Sequence, residues 1–282
     1  MRRPALPDAE LVPVFTAMRI PALFLACFLS GFVPVHLVAE TPDRPAPRTK
    51  AYPWMSLDQW RNFHEGDLAR GKQGPIEVLF LGDSITEAWE KDGAAVWEEF
   101  FAPLGAANFG IGGDTTQNVL WRITEGGALK PVRPKVVVLL IGTNNIGLLG
   151  DDPPGVVRGI DAIVRTLRKQ RPAARILLLD LFPRGAPGDS YRRDVEETNR
   201  LLAAVAKDDP MVRHFRIWDE FTDGKGNLPP DLMPDKLHLS GEGYRIWAKA
   251  IAPVLREMLA ASGTPATGTP AKRPFKKLFS PK

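Results

Sequence analysis

Five short apolar runs punctuate the chain: Ile76 to Leu81, Ala106 to Phe109, Val136 to Ile141, Ile176 to Leu181 and Phe215 to Trp218. Three of them are continuously apolar rather than alternating, which is how strands covered on both faces read. Between and after them, apolar positions return with a 3.6-residue period. Val156, Ile160, Ile163, Val164 and Leu167 form one such face. Val195, Thr198, Leu202 and Val205 form a second, and Tyr244, Trp247, Ile251, Val254 and Met258 a third. Ser56 to Gln59 (SLDQ) has the spacing of a capping box, so a helix is expected to open there. Strands alternating with helices predict an α/β protein, a three-layer α/β/α sandwich with right-handed crossovers around a parallel sheet. Ligands of such sheets bind beyond the carboxyl ends of the strands.

Composition divides the 282 residues. Of 27 prolines, nine lie in residues 1–53 and four in 261–282, which makes both ends irregular and the middle one domain. Ile20 to Ala39 is a 20-residue stretch without formal charge, preceded by Arg19 and followed by Glu40-Thr41-Pro42-Asp43. Its length lies between a signal-peptide core and a membrane span. Pro21, Pro34 and His36 weaken a permanent span, so export is favoured over an uncleaved anchor or a buried helix. The expected organisation is therefore a signal peptide or N-terminal anchor over 1–39, a proline-rich linker over 40–53, a folded domain over 54–260 and a disordered basic tail over 261–282. An exported protein, periplasmic or secreted, follows from the first segment. Membrane contact is expected through residues 20–39 only.

The net charge of +4 does not indicate a nucleic-acid partner once it is placed along the chain. The tail carries +5 and the first 53 residues +2, which leaves the body at −3. The single cysteine, Cys27, sits in the apolar leader. A chain processed after it has no thiol for disulfides, thiolate catalysis or metal ligation. No metal-ligand spacing occurs, and the glycines of residues 110–113 do not fit a dinucleotide fingerprint, so neither a metal nor a cofactor is expected.

Four segments just after predicted strands, or in the last loop, carry reactive groups. Gly82-Asp83-Ser84 follows the first strand. There Ser84 is either a nucleophile or the cap of the following helix. Asn108 to Thr116 (NFGIGGDTT) follows the second, with glycines that let backbone amides approach a ligand or simply form a tight turn. Gly142-Thr143-Asn144-Asn145 follows the third. An asparagine amide there can donate to a developing oxyanion, or cap a turn. Asp235-Lys236-Leu237-His238 precedes the last helix. An imidazole can take a proton from a serine with one ring nitrogen while the other donates to a carboxylate. His64 and His214 have no partner at a recognisable spacing and read as structural or solvated. Asp83 and Asp114 read as acceptors for loop amides, Trp121 and Arg122 as braces of the second loop. Arg184 is left between facing the cleft and pinning a loop.

Jointly and in this order, the four segments resemble the sequence blocks of the SGNH, or GDSL-type, hydrolase superfamily. Further stretches are similar to the catalytic subunits of platelet-activating-factor acetylhydrolase: Trp54-Met55-Ser56, Val78 to Ser84, Val119 to Arg122, Pro183-Arg184-Gly185 and Leu237-His238-Leu239. This resemblance spans about Trp54 to Leu259. It implies a flavodoxin-like five-stranded parallel sheet and serine esterase chemistry on short, above all acetyl, esters. It implies Ser84 as nucleophile and Asp235 and His238 as the other triad members. The Ser84 and Gly113 amides and the Asn144 side chain are the implied oxyanion donors. A small acylated molecule, an acetylated sugar or a lipid, is the expected partner. The alternatives are a carbohydrate O-acetylesterase, a lysophospholipase or lipid acetylhydrolase, and a non-catalytic binding module on the same fold.

Overall fold

A computed structural model describes residues 41–262. The expected leader at 1–39 and nearly all of the expected tail at 261–282 lie outside the described residues. Five strands form one all-parallel sheet: β1 (Val78–Gly82), β2 (Ala106–Gly110), β3 (Val136–Leu140), β4 (Arg175–Leu179) and β5 (Val212–Phe215). Their order is β2-β1-β3-β4-β5, the doubly wound arrangement in which the strand order reverses between β1 and β3. Every residue of β1 and β3 is buried, as their unbroken apolar sequences require.

The longer helices are α1 (Leu57–Lys72), α3 (Ala94–Phe100), α4 (Thr116–Ile123), α5 (Pro153–Gln170), α6 (Ser190–Ala206) and α7 (Gly241–Ala261), and the short α2 is Ser84–Glu87. Helices cover both sides of the sheet. In one group α5 packs between α4 and α6, and in another α3 packs on α7. The three periodic faces read from the sequence fall on α5, α6 and α7, and each points inward. Phe80 of β1 anchors an aromatic cluster with Trp97, Phe101 and Trp247 at ring distances of 5.0, 5.0 and 6.5 Å. Trp89 joins it 4.8 Å from Trp247. The capping box at the start of α1 forms as expected, with the Gln59 amide donating to Ser56 Oγ at 3.1 Å and the Ser56 amide to Gln59 Oε1 at 2.7 Å.

Two expectations are corrected. The fifth strand lies at Val212–Phe215, three residues before the apolar run Phe215 to Trp218. It is an edge strand in which only Val212 is buried, so it lacks the continuous apolar signature of the inner strands. The run instead leads into a 3-10 turn at Trp218–Phe221. The segment read as a linker, within residues 40–53, is packed on the domain where it is described. The Pro42 carbonyl accepts from Thr116 Oγ1 at 2.8 Å, and the Ala46 carbonyl from Asn118 Nδ2 at 3.0 Å. Arg48 is only 6% exposed. Prolines here stiffen an extended strap rather than mark a free spacer.

Candidate active site

The carboxyl ends of β1, β2 and β3 converge with the loop before α7. β1 ends at Gly82, where a side chain would collide with the Leu140 carbonyl at 2.5 Å, so only glycine fits this crossing. The chain then turns directly into α2. Its cap is Asp83, whose Oδ1 accepts from the Ile85 amide at 3.0 Å. Asp83 is thus the cap of α2 and Ser84 is not; the Ser84 hydroxyl meets His238 Nε2 at 2.9 Å. Tyr244 of α7 donates its hydroxyl to the Ile85 carbonyl at 2.6 Å and ties the Ser84 turn to the helix that follows His238. Asp83 is fully buried, and burial pushes its carboxyl up to about 7 despite the Ile85 amide and nearby His238.

The Asp235–His238 loop is built as an Asx turn. Asp235 Oδ1 accepts from the Leu237 and His238 amides at 2.9 and 2.7 Å. This leaves Oδ2 for His238 Nδ1 at 2.7 Å. An ionised carboxylate only accepts, so Nδ1 carries the proton and Nε2 is left to receive one from Ser84. Burial pushes Asp235 upward, but the hydrogen bonds from the His238 ring and amide outweigh it and hold the carboxyl below its ordinary range. The imidazole is half-buried rather than enclosed: the side chains of His238 and Asp235 are 39% and 54% exposed.

Across the cleft, the loop after β2 presents Gly112 and Gly113 beside Ser84. Gly113 has φ +75°, a left-handed conformation that favours glycine. The Gly112 amide donates to the buried Glu87 Oε2 at 2.6 Å. The Gly113 amide has no acceptor among the described residues and lines the cleft with Ser84 and Asn144. Asn144 Nδ2 lies 2.9 Å from the Asp114 carbonyl. Asn145 beside it is fully buried. Its Oδ1 accepts from the Thr116 amide at 2.9 Å and its Nδ2 donates to Thr116 Oγ1 at 3.0 Å, locking the third loop to the second. Four of the five sequence-predicted site residues, Ser84, Gly113, Asn144 and His238, therefore face one cavity of about 470 Å³, and the fifth, Asp235, stands behind His238. Trp54, Met55, Ala88, Leu148 and Leu237 supply its apolar wall, Lys91 and Arg184 its cations.

Arg184 does both things left open for it. Its Nη1 donates to the Thr143 carbonyl at 2.9 Å, and the residue also lines the cavity. Arg122 braces the second loop as expected, donating to the Phe109 carbonyl at 2.7 Å and pairing with Asp67 and Asp114 at 3.0 Å each. Asp114 is not the acceptor of loop amides foreseen for it. Its carboxylate is completely buried and takes Trp60 Nε1 at 2.7 Å and Arg48 Nη2 at 3.0 Å besides Arg122. His214, read as lacking a partner, meets Asp180 Oδ1 at 2.5 Å, a pairing across 34 positions that no local spacing reveals. The sequence reading missed Glu87 and Arg48. Glu87 lies one helical turn after Ser84, a visible spacing. Arg48 gives no signal, because its partners lie 64 and 66 positions away.

A hydroxyl hydrogen-bonded to an imidazole, with a carboxylate behind it and amide donors opposite, sits at the switch point of a doubly wound sheet. Together with the comparisons that follow, this marks the protein as a carboxylic ester hydrolase. The GDSL-like lipase/acylhydrolase family model matches residues 80–246, and the chain belongs to that family. It is 38% identical to platelet-activating factor acetylhydrolase IB subunit alpha1 of Pongo abelii over 217 residues, 76% of this chain and 91% of the relative. With the alpha2 subunit of Gallus gallus it shares 36% over 202 residues, 72% of this chain and 86% of the relative. A GDSL-like lipase structure from Bacteroides thetaiotaomicron shares the fold with a TM-score of 0.58 at 21% identity, covering 70% of this chain and 97% of that one. An acetylxylan esterase structure from Geobacillus stearothermophilus does so with a TM-score of 0.52 at 22% identity, covering 66% and 96%.

Proposed function

We propose that the protein is a serine esterase that removes short acyl groups, acetyl first among them, through an acyl-enzyme. The observation that carries this is the continuous chain from Asp235 Oδ2 through His238 to Ser84 Oγ, at 2.7 and 2.9 Å. Ser84 attacks the ester carbonyl while His238 takes its proton. The Ser84 and Gly113 amides and Asn144 Nδ2 receive the oxyanion. His238 then protonates the leaving alcohol, and a water molecule repeats the sequence on the acyl-enzyme. The acetyl preference is supported by the relatives, whose name is that of an acetylhydrolase. Acetylated sugars and short-chain lipid esters are the two substrate classes. Export through residues 1–39 belongs to the same proposal and favours the sugars. N-terminal sequencing of the protein recovered outside the cell tests the export step.

The decisive experiment is a burst assay with a nitrophenyl ester. Wild type is expected to release one alcohol per site rapidly, and Ser84→Ala to release none, with turnover reduced by about 10⁶. A full burst from Ser84→Ala sinks the assignment. An acyl-length series on acetylated xylan, acetylated sugars and short lipid esters then identifies the substrate class.

A further inference from the structure

We infer that Arg48 is a positioning residue for ester hydrolysis, and that the strap preceding the domain is thereby part of the active site. The inference rests on the Gly113 amide being an oxyanion donor, as proposed above. Arg48 Nη2 donates at 2.7 Å to the carbonyl of Gly112. That carbonyl and the Gly113 N–H belong to one peptide unit. The unit is planar and trans, so its C=O and N–H point in opposite directions. Holding the oxygen from behind fixes the direction in which the N–H points. It also draws electron density toward the carbonyl, which makes the N–H a stronger donor.

The need for such a hold follows from the loop. Gly112 and Gly113 have no side chains to pack, and a peptide between two glycines can rotate cheaply. Arg48 closes that freedom from two sides. The same Nη2 reaches Asp114 Oδ1 at 3.0 Å, so the guanidinium grips the residues flanking Gly113 at once. It is itself immobilised: Nη1 lies 3.1 Å from Met55 Sδ, and the guanidinium stands 5.3 and 5.7 Å from the Tyr52 and Trp60 rings. Arg48 also balances charge, since Arg122 is shared between Asp67 and Asp114, but a cation paired with Asp114 alone would need no bond to the Gly112 carbonyl. What Arg48 adds is the contact to the Gly112 carbonyl. A lysine can replace its charge but not its fork.

The test uses Arg48→Lys and Arg48→Met in the full chain, with active sites counted by a fluorophosphonate. The expected kcat per counted site falls about 10-fold for Lys and about 100-fold for Met, the scale of a misplaced reacting group. KM for nitrophenyl acetate is expected to stay within about threefold, since the ground-state ester makes little use of the oxyanion donors. The inhibition constant of an alkylboronic acid, whose adduct with Ser84 places an oxygen where the oxyanion forms, rises in step with the loss of kcat/KM. An unchanged kcat per site overturns the inference, as does a lowered kcat with unchanged boronate affinity. If the Met variant does not fold, the Lys variant decides alone. Normal kinetics in both, beside a dead Ser84→Ala, removes the role of Arg48 and leaves the esterase reading standing.

Discussion

The two sides of the cleft are built differently. The side of the proposed oxyanion donors is buried and held many times over: Asp114, Arg122, Thr116 and Asn145 are each at most 1% exposed and are bonded in pairs across the second loop, α4 and the third loop. The base side is a short surface loop, with Asp235 and His238 half in solvent and fastened by local hydrogen bonds. Among the described residues, it holds the one non-glycine backbone in the left-handed region, Lys236 at φ +61°. The contrast matches the work proposed for each side. Stabilising a developing charge depends on dipoles that are fixed beforehand and need not reorganise. Passing a proton requires the imidazole to serve first the serine and then the leaving group, which a less confined loop permits.

Breaking the base side is expected to have the larger catalytic effect. Asp235→Asn keeps the shape but presents a donor to Nδ1, which favours the wrong tautomer. The expected loss is roughly 10³–10⁴ in kcat, partly recovered at high pH where hydroxide replaces the base. Asn144→Ala on the other side removes one donor. It is expected to cost roughly 10²–10³ in kcat at every pH, so that the pH–rate profile keeps its shape. Measuring both profiles separates the sides: a profile displaced by Asn144→Ala, or left unmoved by Asp235→Asn, would falsify the division of labour.

The same contrast explains what could be read before the fold was known. Asp235 and His238 are three positions apart, and a motif that short is visible in a string of letters. Ser84, Gly113 and Asn144 each follow a strand whose apolar run announces it, so their convergence follows from the topology of a parallel sheet. The bracing showed only in part: Arg122 reads as a brace, but its partners and the other long-range pairs do not show. Arg48 and Asp114 are 66 positions apart, Arg122 and Asp67 are 55 apart, and His214 and Asp180 are 34 apart. Neighbourhood decided the reading: the segment around Arg48 is set by its prolines, and His214 lacks a nearby acid. Neighbourhood carries no information on pairs made by the packing of distant loops. The misplaced fifth strand has a related cause, since an edge strand need not be apolar on both faces.

Two acids, Asp83 next to Ser84 in the chain and Asp235 behind His238, sharpen the comparison through pH. The depressed carboxyl of Asp235 contributes stability above the ordinary carboxylate range, and this is lost as pH falls. The raised carboxyl of Asp83 works in the opposite sense. Its contribution is complete below the ordinary carboxylate range, near pH 4, and is lost as pH rises toward about 7. Asp83→Asn keeps the acceptor for the Ile85 amide but never ionises. Its melting temperature is expected to match wild type near pH 4 and to exceed it at pH 8, by about 1–3 kcal/mol of stability. Equal melting curves at both pH values would show that the buried side tolerates the charge.

The smallest effect expected is at Lys236. A non-glycine residue with φ +61° costs about 1–2 kcal/mol relative to an unstrained backbone. Glycine removes that cost but loses more chain entropy on folding. The two nearly offset, so Lys236→Gly is expected to raise stability by less than about 1 kcal/mol. Catalysis is expected to change less than twofold, because the contacts of this residue that orient the loop are made by its backbone. The Lys236 carbonyl accepts from the Gly185 amide at 3.0 Å, and its own amide donates to the Met233 carbonyl at 3.0 Å. A melting temperature that falls, or a kcat that drops tenfold, would mean that the strained residue itself holds His238 in register. The base side would then be as tightly specified as the side opposite.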